Sequence, residues 1–315
     1  MQPARILIAS PDRYGRFGHQ TTSIYAAVCL AHLSGSLLLH PRYMFFADRW
    51  NKHVDWSRSR FVTKQITGIR RVVYLEKDKA DQHGNRKWNL RDGELSDMLR
   101  AISSIAEDTI VHLPFDQSAG KLMHLASRSD VREDLNRVFL TERWQKPDQP
   151  YVCIHIRRGD CTPEQHKDWY VADDFYINLI TRLDIVLPKA YPIIICTQGR
   201  LKQIEKTLEK LINIKRVRIQ TTPEVWTNDA EVNDFQTLAN AEILITARST
   251  FSRWAGLIGP TKCVVDVNRQ SLMKQGEQMV IHPEDDKENW GPALQELISN
   301  HVRRTNKELQ DKRWS

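Results

Sequence analysis

The sequence lacks the signatures of several common enzyme classes. It has no C-x-x-C pair, no Cys/His cluster and no H-E-x-x-H, so the usual zinc sites are not expected. G-x-S-x-G is also missing, which argues against a hydrolase with a nucleophile elbow. Neither G-x-G-x-x-G nor the Walker loop motif occurs in the sequence. No D-x-D follows a predicted apolar strand. Dinucleotide- and ATP-dependent enzymes and metal-dependent, single-domain glycosyltransferases are therefore disfavoured.

Cysteines and long apolar runs are also scarce. The five cysteines are odd in number, widely spread and mostly set in apolar runs, as is typical of buried thiols in a reducing compartment: Cys29, Cys153, Cys161, Cys196 and Cys263. The first apolar run ends at Ser10 and Pro11, whereas a signal-peptide core needs about 7–15 apolar residues and a membrane span about 20. We therefore expect a soluble, cytoplasmic protein.

The composition is otherwise that of a globular chain with a basic excess. Hydrophobic residues make up 41% and charged residues 27% of the 315 residues, which excludes a disordered chain, a collagen-like fibre and a polytopic membrane protein. Lys and Arg number 46 against 39 Asp and Glu, a formal charge of +7. Such an excess favours a polyanionic partner. Nucleic acid, lipid and a phosphorylated small molecule all remain open.

Apolar runs alternate with helical patterns, which predicts an α/β fold with parallel sheets. The first half is predicted to begin with a strand, a glycine-containing loop (12–20), a helix (21–33) and a second strand. The sequence then becomes irregular and charged over 47–89, which we interpret as an insertion or a long loop region. The proline-containing stretch 141–150 is the best linker candidate. In the second half we predict strands at 151–156, 193–196, 217–219, 243–246 and 263–267, with helices at 173–187, 200–212, 231–241 and 251–258.

These patterns favour two Rossmann-like domains that face each other across a cleft. The predicted divisions are an N-terminal domain on the acceptor side, a nucleotide-binding domain, and a final helix with a basic tail: 1–145, 146–290 and 291–315. We place the last helix at 290–302 and the tail at 301–315. The tail has two open interpretations, a solvated segment or a contact with an anionic membrane.

Candidate functional residues follow two of the predicted strands, at the sheet edge where ligands bind in open parallel sheets. H-I-R-R-G-D at 155–160 places His155 and Arg157 on one side of a strand end. Its adjacent arginines have the fork geometry that suits phosphate oxygens, although two arginines can also form a solvated turn. The segment 234–255 carries Asp234 and then S-T-F-S, which opens a helix. These hydroxyls can seat an anion, cap the helix, or do both.

A third motif, G-R-F-G-H-Q at 15–20, lies between the first strand and the first helix. Its glycines allow close approach to a ligand, although a structural turn explains this motif equally well when it is taken alone.

Together the three motifs resemble those of the fucosyltransferase superfamily. The similarity is greatest to α1,2-fucosyltransferases, with H-x-R-R-x-D, a G-x-G-N-Q loop and N-S-T-F-S-W-W, and the α1,6- and peptide O-fucosyltransferases are relatives. The motifs occur here in the family's order. The resemblance implies a GT-B fold and metal-independent, inverting transfer of L-fucose from GDP-fucose to a glycan, without a cofactor and without nucleic acid as a partner. Three positions depart from the pattern: His19, Arg248 and Arg253.

The resemblance also implies roles for individual residues. Arg157 would hold the β-phosphate, His155 would touch the nucleotide and Asp234 would read the guanine edge. The remaining donor contacts it implies are Arg158, Ser249, Thr250, Phe251, Ser252, Gly15, Gly18, His19 and Gln20.

The general base is open among Glu164, Asp160 and Asp12, with Glu164 the first candidate by rough similarity to the α1,6 branch. Glu164 can equally well be a solvated carboxylate of a loop, without a catalytic role. The four arginines at 157, 158, 248 and 253 are expected to face the diphosphate. A transferase with another nucleotide sugar and a basic nucleic-acid-binding protein remain the alternatives.

Overall fold

The chain forms two α/β units in a computed structural model, Met1–Trp144 and Gln145–Ser315. The division falls inside the predicted linker. The structure describes residues 5–10, 17–39, 55–64, 66, 68–76, 88–89, 94–116, 129–139, 149–198, 209–211, 214–222, 228–259, 263–267, 277–281, 283 and 287–311.

The first unit is built on a parallel sheet. Its six described strands are β1 (Ile6–Ser10), β2 (Leu37–Leu39), β3 (Val62–Thr63), β4 (Arg71–Tyr74), β5 (Trp88–Asn89) and β6 (Thr109–Asp116). The spatial order is β3-β2-β1-β6-β4, and β5 pairs with the end of β6. Its described helices are α1 (Phe17–Ser34), α2 (Leu95–Ser103) and α3 (Ser129–Phe139), besides a 3₁₀ turn at Trp56–Arg58.

Two predictions for this unit were wrong. The stretch 47–89 is not simply an irregular insertion, because β3, β4 and β5 join the sheet from it. These strands are two to four residues long, too short to show a period of two. Helix α1 begins at Phe17 rather than near residue 21, so Gly18, His19 and Gln20 lie in its first turn and not in a loop. Gly15 and Asp12 lie outside the described residues.

The second unit contains a six-stranded, all-parallel sheet with the order β12-β11-β10-β7-β8-β9. Its strands are β7 (Val152–Ile156), β8 (Ile193–Gln198), β9 (Val217–Thr222), β10 (Ile243–Ile245), β11 (Cys263–Asp266) and β12 (Glu277–Val280). Its described helices are α4 (Asp173–Val186), α5 (Asn228–Ala239), α6 (Thr250–Ile258) and α7 (Lys287–Asp311). This is the Rossmann strand order, with its reversal between β7 and β10.

Helices cover both faces of this second sheet. The Val152, Ile154 and Ile156 side chains pack on one face against α4 and α7, with Leu179 and Leu294 among the buried contacts. Successive side chains of a strand point to opposite faces, and His155 accordingly meets Phe251 of α6 on the other face. The doubly wound α/β arrangement that the sequence predicts is confirmed.

The last helix is longer than predicted. Helix α7 begins at Lys287 and continues to Asp311, so most of the predicted tail is helical. His301, Val302 and Thr305 are buried, whereas Arg303, Arg304 and Lys307 are exposed. Mixed charged residues on one side of a packed helix resemble a tail in the sequence because they carry little apolar periodicity.

Candidate functional site in the second unit

The strand order brings two of the predicted motifs together. Strands β7 and β10 are parallel neighbours, with Ile154 opposite Ile245, so the segments that follow them lie side by side. The first segment is H-I-R-R-G-D and the second opens α6. The carboxyl edge at a reversal of strand order is where open α/β sheets bind ligands. We call this edge, formed by residues 155–160 and 246–252, the switch-point edge.

Arg157 has the most exposed side chain of the four arginines at this edge. Its side chain is 22% accessible, and Nη2 lies 3.2 Å from Oδ2 of Asp160. Its guanidinium carbon lies 4.8 Å from the centre of the Trp169 ring. The guanidinium is thus held by a carboxylate and an aromatic face and still reaches solvent.

Arg158, next in the chain, is directed into the protein. Its side chain is 3% accessible and forms an ion pair with Asp173. It donates hydrogen bonds to the carbonyl oxygens of Arg157, at 2.8 Å, and Val171, at 3.0 Å, and its guanidinium carbon lies 4.4 Å from the ring centre of Tyr170. The geometry favours a role in holding the segment that follows β7, not the direct diphosphate contact expected from the sequence.

The two arginines that depart from the family pattern are also engaged inside the unit. Arg248 is 7% accessible and donates from Nη1 to the carbonyl oxygen of Asp168 at 3.3 Å. Arg253 pairs with Asp266 at 3.2 Å, and its side chain is 13% accessible. The geometry thus differs from the expectation that all four arginines face a ligand: Arg158 and Arg248 contact backbone carbonyl oxygens, and Arg253 contacts the Asp266 carboxylate.

The start of α6 is a capped helix N-terminus. Ser249 has extended backbone, and its side chain accepts a hydrogen bond from the Phe251 N–H. Ser252 is fully buried, and its hydroxyl accepts from the Ala247 N–H at 3.1 Å. Thr250 is exposed. The capping interpretation thus holds for Ser249, and Ser252 fixes the turn that precedes the helix.

His155 and Asp234 are buried near this helix. Burial, with a further contribution from the Arg157 charge, lowers the pKa of His155 to about 3, so the imidazole is neutral at physiological pH. Its Nδ1 has no hydrogen-bond partner among the residues that the structure describes. Asp234 accepts a hydrogen bond from Nε2 of Gln220 at 2.5 Å. A buried, unpaired imidazole nitrogen is costly unless a ligand or water meets it.

The carboxylates proposed as general bases differ in environment. Asp160 is paired with Arg157, whereas Glu164 is exposed in the segment between β7 and α4. The sequence interpretation missed Trp169, Asp173 and Asp168 in and beyond that segment. The W-Y pair within a polar loop is the signal that could have drawn attention to it, because large aromatic residues are uncommon in exposed loops without a binding or packing role.

Two further observations concern metals and membranes. Among the described residues, no group of three or more His, Cys, Asp or Glu side chains is arranged to hold a metal ion. Within the same residues, no helix combines the length and the apolar character needed to cross a bilayer.

The fold and the charged switch-point edge define an α/β protein with a nucleotide-binding type of sheet. Residues 104–290 match the model of glycosyl transferase family 11, and the chain belongs to this family. The match covers most of the second unit and begins before β6. Membership of the fucosyltransferase superfamily and a glycosyltransferase activity, both expected from the three motifs, are confirmed.

Solved structures give more distant similarities. POFUT1 in complex with GDP is 12% identical, with a TM-score of 0.47 over 84% of this chain and 98% of that chain. POFUT1 in complex with GDP-fucose is 11% identical, with a TM-score of 0.43 over 83% and 97%. The E. coli heptosyltransferase WaaC with ADP is 11% identical, with a TM-score of 0.39 over 98% of each chain. No curated protein sequence matches the chain.

Proposed function

We propose that the protein transfers L-fucose from GDP-fucose to a hydroxyl group of a glycan acceptor, with inversion and without a metal ion. The observation that carries this proposal is the placement of Arg157. It offers a partly exposed guanidinium at the reversal of strand order, while Arg158, Arg248 and Arg253 make contacts within the unit. Family membership supplies the reaction class.

The charge that develops during this transfer suits such an edge. Cleavage of the sugar–diphosphate bond leaves negative charge on the phosphate and an oxocarbenium-like sugar. A guanidinium that is already oriented stabilises that phosphate without reorganisation. The dipole at the N-terminus of α6 adds partial positive charge on the neighbouring segment. Arg157 would thus take the part that a divalent cation plays in metal-dependent transferases.

The buried polar side chains suit a nucleotide. Neutral His155 would meet it through a ring nitrogen, because its lowered pKa keeps the imidazole from adding charge. The Asp234 carboxylate, fixed by Gln220, would accept hydrogen bonds from the N–H groups on the guanine edge. Uracil and adenine lack that pair of donors on one edge, so this arrangement favours GDP.

We assign the general base to Glu164 rather than Asp160. The Arg157 charge already engages Asp160, which suits it to holding the arginine. Glu164 is exposed to solvent, so its carboxylate would approach an acceptor hydroxyl and accept its proton. Glu164→Gln should lower kcat much more than it changes GDP binding. Equal turnover by this variant would remove the assignment.

The other partners belong to the same proposal. Three exposed basic side chains of α7 would contact an anionic membrane that carries a lipid-linked acceptor: Arg303, Arg304 and Lys307. The contact would be purely electrostatic, between these basic side chains and anionic headgroups, because the apolar side of α7 packs in the core. All five cysteines are buried thiols, which supports a reducing, cytoplasmic location. Replacement of Arg303, Arg304 and Lys307 by glutamine should weaken binding to anionic liposomes and leave GDP binding unchanged, because these three side chains are exposed.

A thermal-shift screen tests the donor. GDP should raise the unfolding temperature, while UDP, ADP and short oligonucleotides should not. Release of GDP from GDP-fucose in the presence of a glycan array then tests turnover. Stabilisation by UDP or ADP alone would favour a transferase with another nucleotide sugar, and stabilisation by oligonucleotides alone would favour the nucleic-acid-binding alternative.

A further inference from the structure

Trp169 is an exposed aromatic residue beside the key arginine. Trp169 is 48% accessible to solvent. The guanidinium carbon of Arg157 lies 4.8 Å from the centre of its ring. The ring also stacks on that of His166, with centroids 4.9 Å apart and 20° between the planes. A large apolar ring in this position is costly in water unless its contacts serve a purpose.

The segment that carries Trp169 is held on both sides. The N–H groups of Trp169 and Tyr170 both donate to the His166 carbonyl oxygen at 2.9 Å. On one side, Arg248 bonds the carbonyl oxygen of Asp168. On the other, Arg158 lies over the Tyr170 ring. The backbone at Trp169 is therefore held on both sides, and stacking on the His166 ring orients the indole.

We propose that Trp169 is a positioning residue for the donor diphosphate, acting through Arg157. This inference rests on the proposed function. Arginine has a long, flexible side chain, and holding it in one orientation costs conformational entropy at each binding event. Asp160 fixes the guanidinium through an ion pair, and Trp169 covers one face of it. The group is therefore oriented before the phosphate arrives.

Calorimetric titration with GDP tests this role without requiring turnover. Trp169→Ala and Trp169→Leu should weaken GDP binding by about 2- to 12-fold, which is the cost of ordering one long side chain on binding. Trp169→Phe should restore most of the affinity because it keeps a ring. Ile185→Ala is the matched control, since this residue is 76% accessible on α4 and should leave affinity unchanged.

A double-variant cycle separates positioning from general structural support. If Trp169 acts through Arg157, its removal in an Arg157→Ala background should change GDP affinity by less than about twofold. An equal loss in both backgrounds would overturn the proposal, as would wild-type affinity of Trp169→Ala. If wild type binds UDP or ADP instead of GDP, the donor assignment fails and the same cycle is run with that nucleotide. Failure to bind all three would overturn both proposals.

Discussion

The two units share a plan of parallel strands but use their charged residues differently. In the second unit, Arg157, Arg158, Arg248 and Arg253 gather at the carboxyl edge beside the reversal of strand order. In the described part of the first unit, Arg5 precedes β1 and donates hydrogen bonds to the carbonyl oxygens of Ile102, Ser103 and Ile105, at and just beyond the end of α2. That contact lies at the amino end of the strand. Among the described residues, arginines thus hold the amino end of a strand in the first unit and gather at the carboxyl edge in the second.

A second comparison lies within one dipeptide. Arg157 and Arg158 are adjacent, yet one side chain is 22% accessible and the other 3%. Gly159, with a φ of 78°, turns the chain directly after them in a conformation that other residues rarely adopt. In the proposed mechanism, Arg157 contacts the donor and Arg158 holds the segment that carries it. Four substitutions follow, and the first two test this division directly.

Arg157→Ala should have the largest effect on turnover. Removal of one preorganised charge donor typically lowers kcat about 10²- to 10³-fold. The unfolding temperature should stay close to that of wild type because the side chain is partly exposed. Steady-state kinetics with GDP-fucose measures the first effect and scanning calorimetry the second. Near-wild-type turnover would remove Arg157 from the mechanism.

Arg158→Met should instead act on stability. It leaves the Asp173 carboxylate without its partner, and breaking a buried pair costs about 3 kcal/mol when one partner is partly exposed. Urea denaturation should show this loss in the free energy of unfolding, and Arg157→Met is the matched control. If both variants lose the same stability, the two arginines do not differ in the way described.

His155→Gln should change the pH dependence of stability. In the unfolded chain a histidine binds a proton below pH about 6.5, but in the folded protein the pKa is about 3. The unfolded state therefore binds more protons between these values, and wild type loses stability as the pH falls through that window. At pH 5 this loss is about 1–2 kcal/mol. The variant should lack it, and parallel curves for the two proteins would show that His155 is not buried and neutral.

Ser249→Ala should have the smallest effect. Loss of the side-chain cap on α6 costs about 1 kcal/mol of stability, and Ser249→Asp should retain the cap. Thermal unfolding of both variants measures the difference. Equal unfolding temperatures would mean that the Ser249 side chain does not support the start of α6.

The sequence was a good guide where strands are fully buried. Strands β7, β8, β10 and β11 are predominantly apolar, as is typical of central parallel strands, and the motifs at the ends of β7 and β10 could be placed from them. Short or exposed strands gave no such signal. In β4, for example, Val72 and Tyr74 are 56% and 69% accessible, so their pattern resembles a loop.

Which of the four arginines are buried could not be predicted from the sequence, for a different reason. The direction of Arg158 depends on Val171 and Asp173, more than ten residues along the chain. That of Arg253 depends on Asp266, at the end of β11. Such partners are chosen by the packing of separate elements, which local spacing does not reveal. The helix start at Phe17 was missed because Gly18 weakens the helical pattern.

Titration of GDP into wild type, Arg157→Ala and Arg158→Met, with thermal unfolding of each protein, separates the roles of the two arginines in one experiment. We expect wild type to bind one GDP per chain, Arg157→Ala to bind at least tenfold more weakly at an unchanged unfolding temperature, and Arg158→Met to unfold at a lower temperature. Equal GDP affinity of wild type and Arg157→Ala would contradict this expectation.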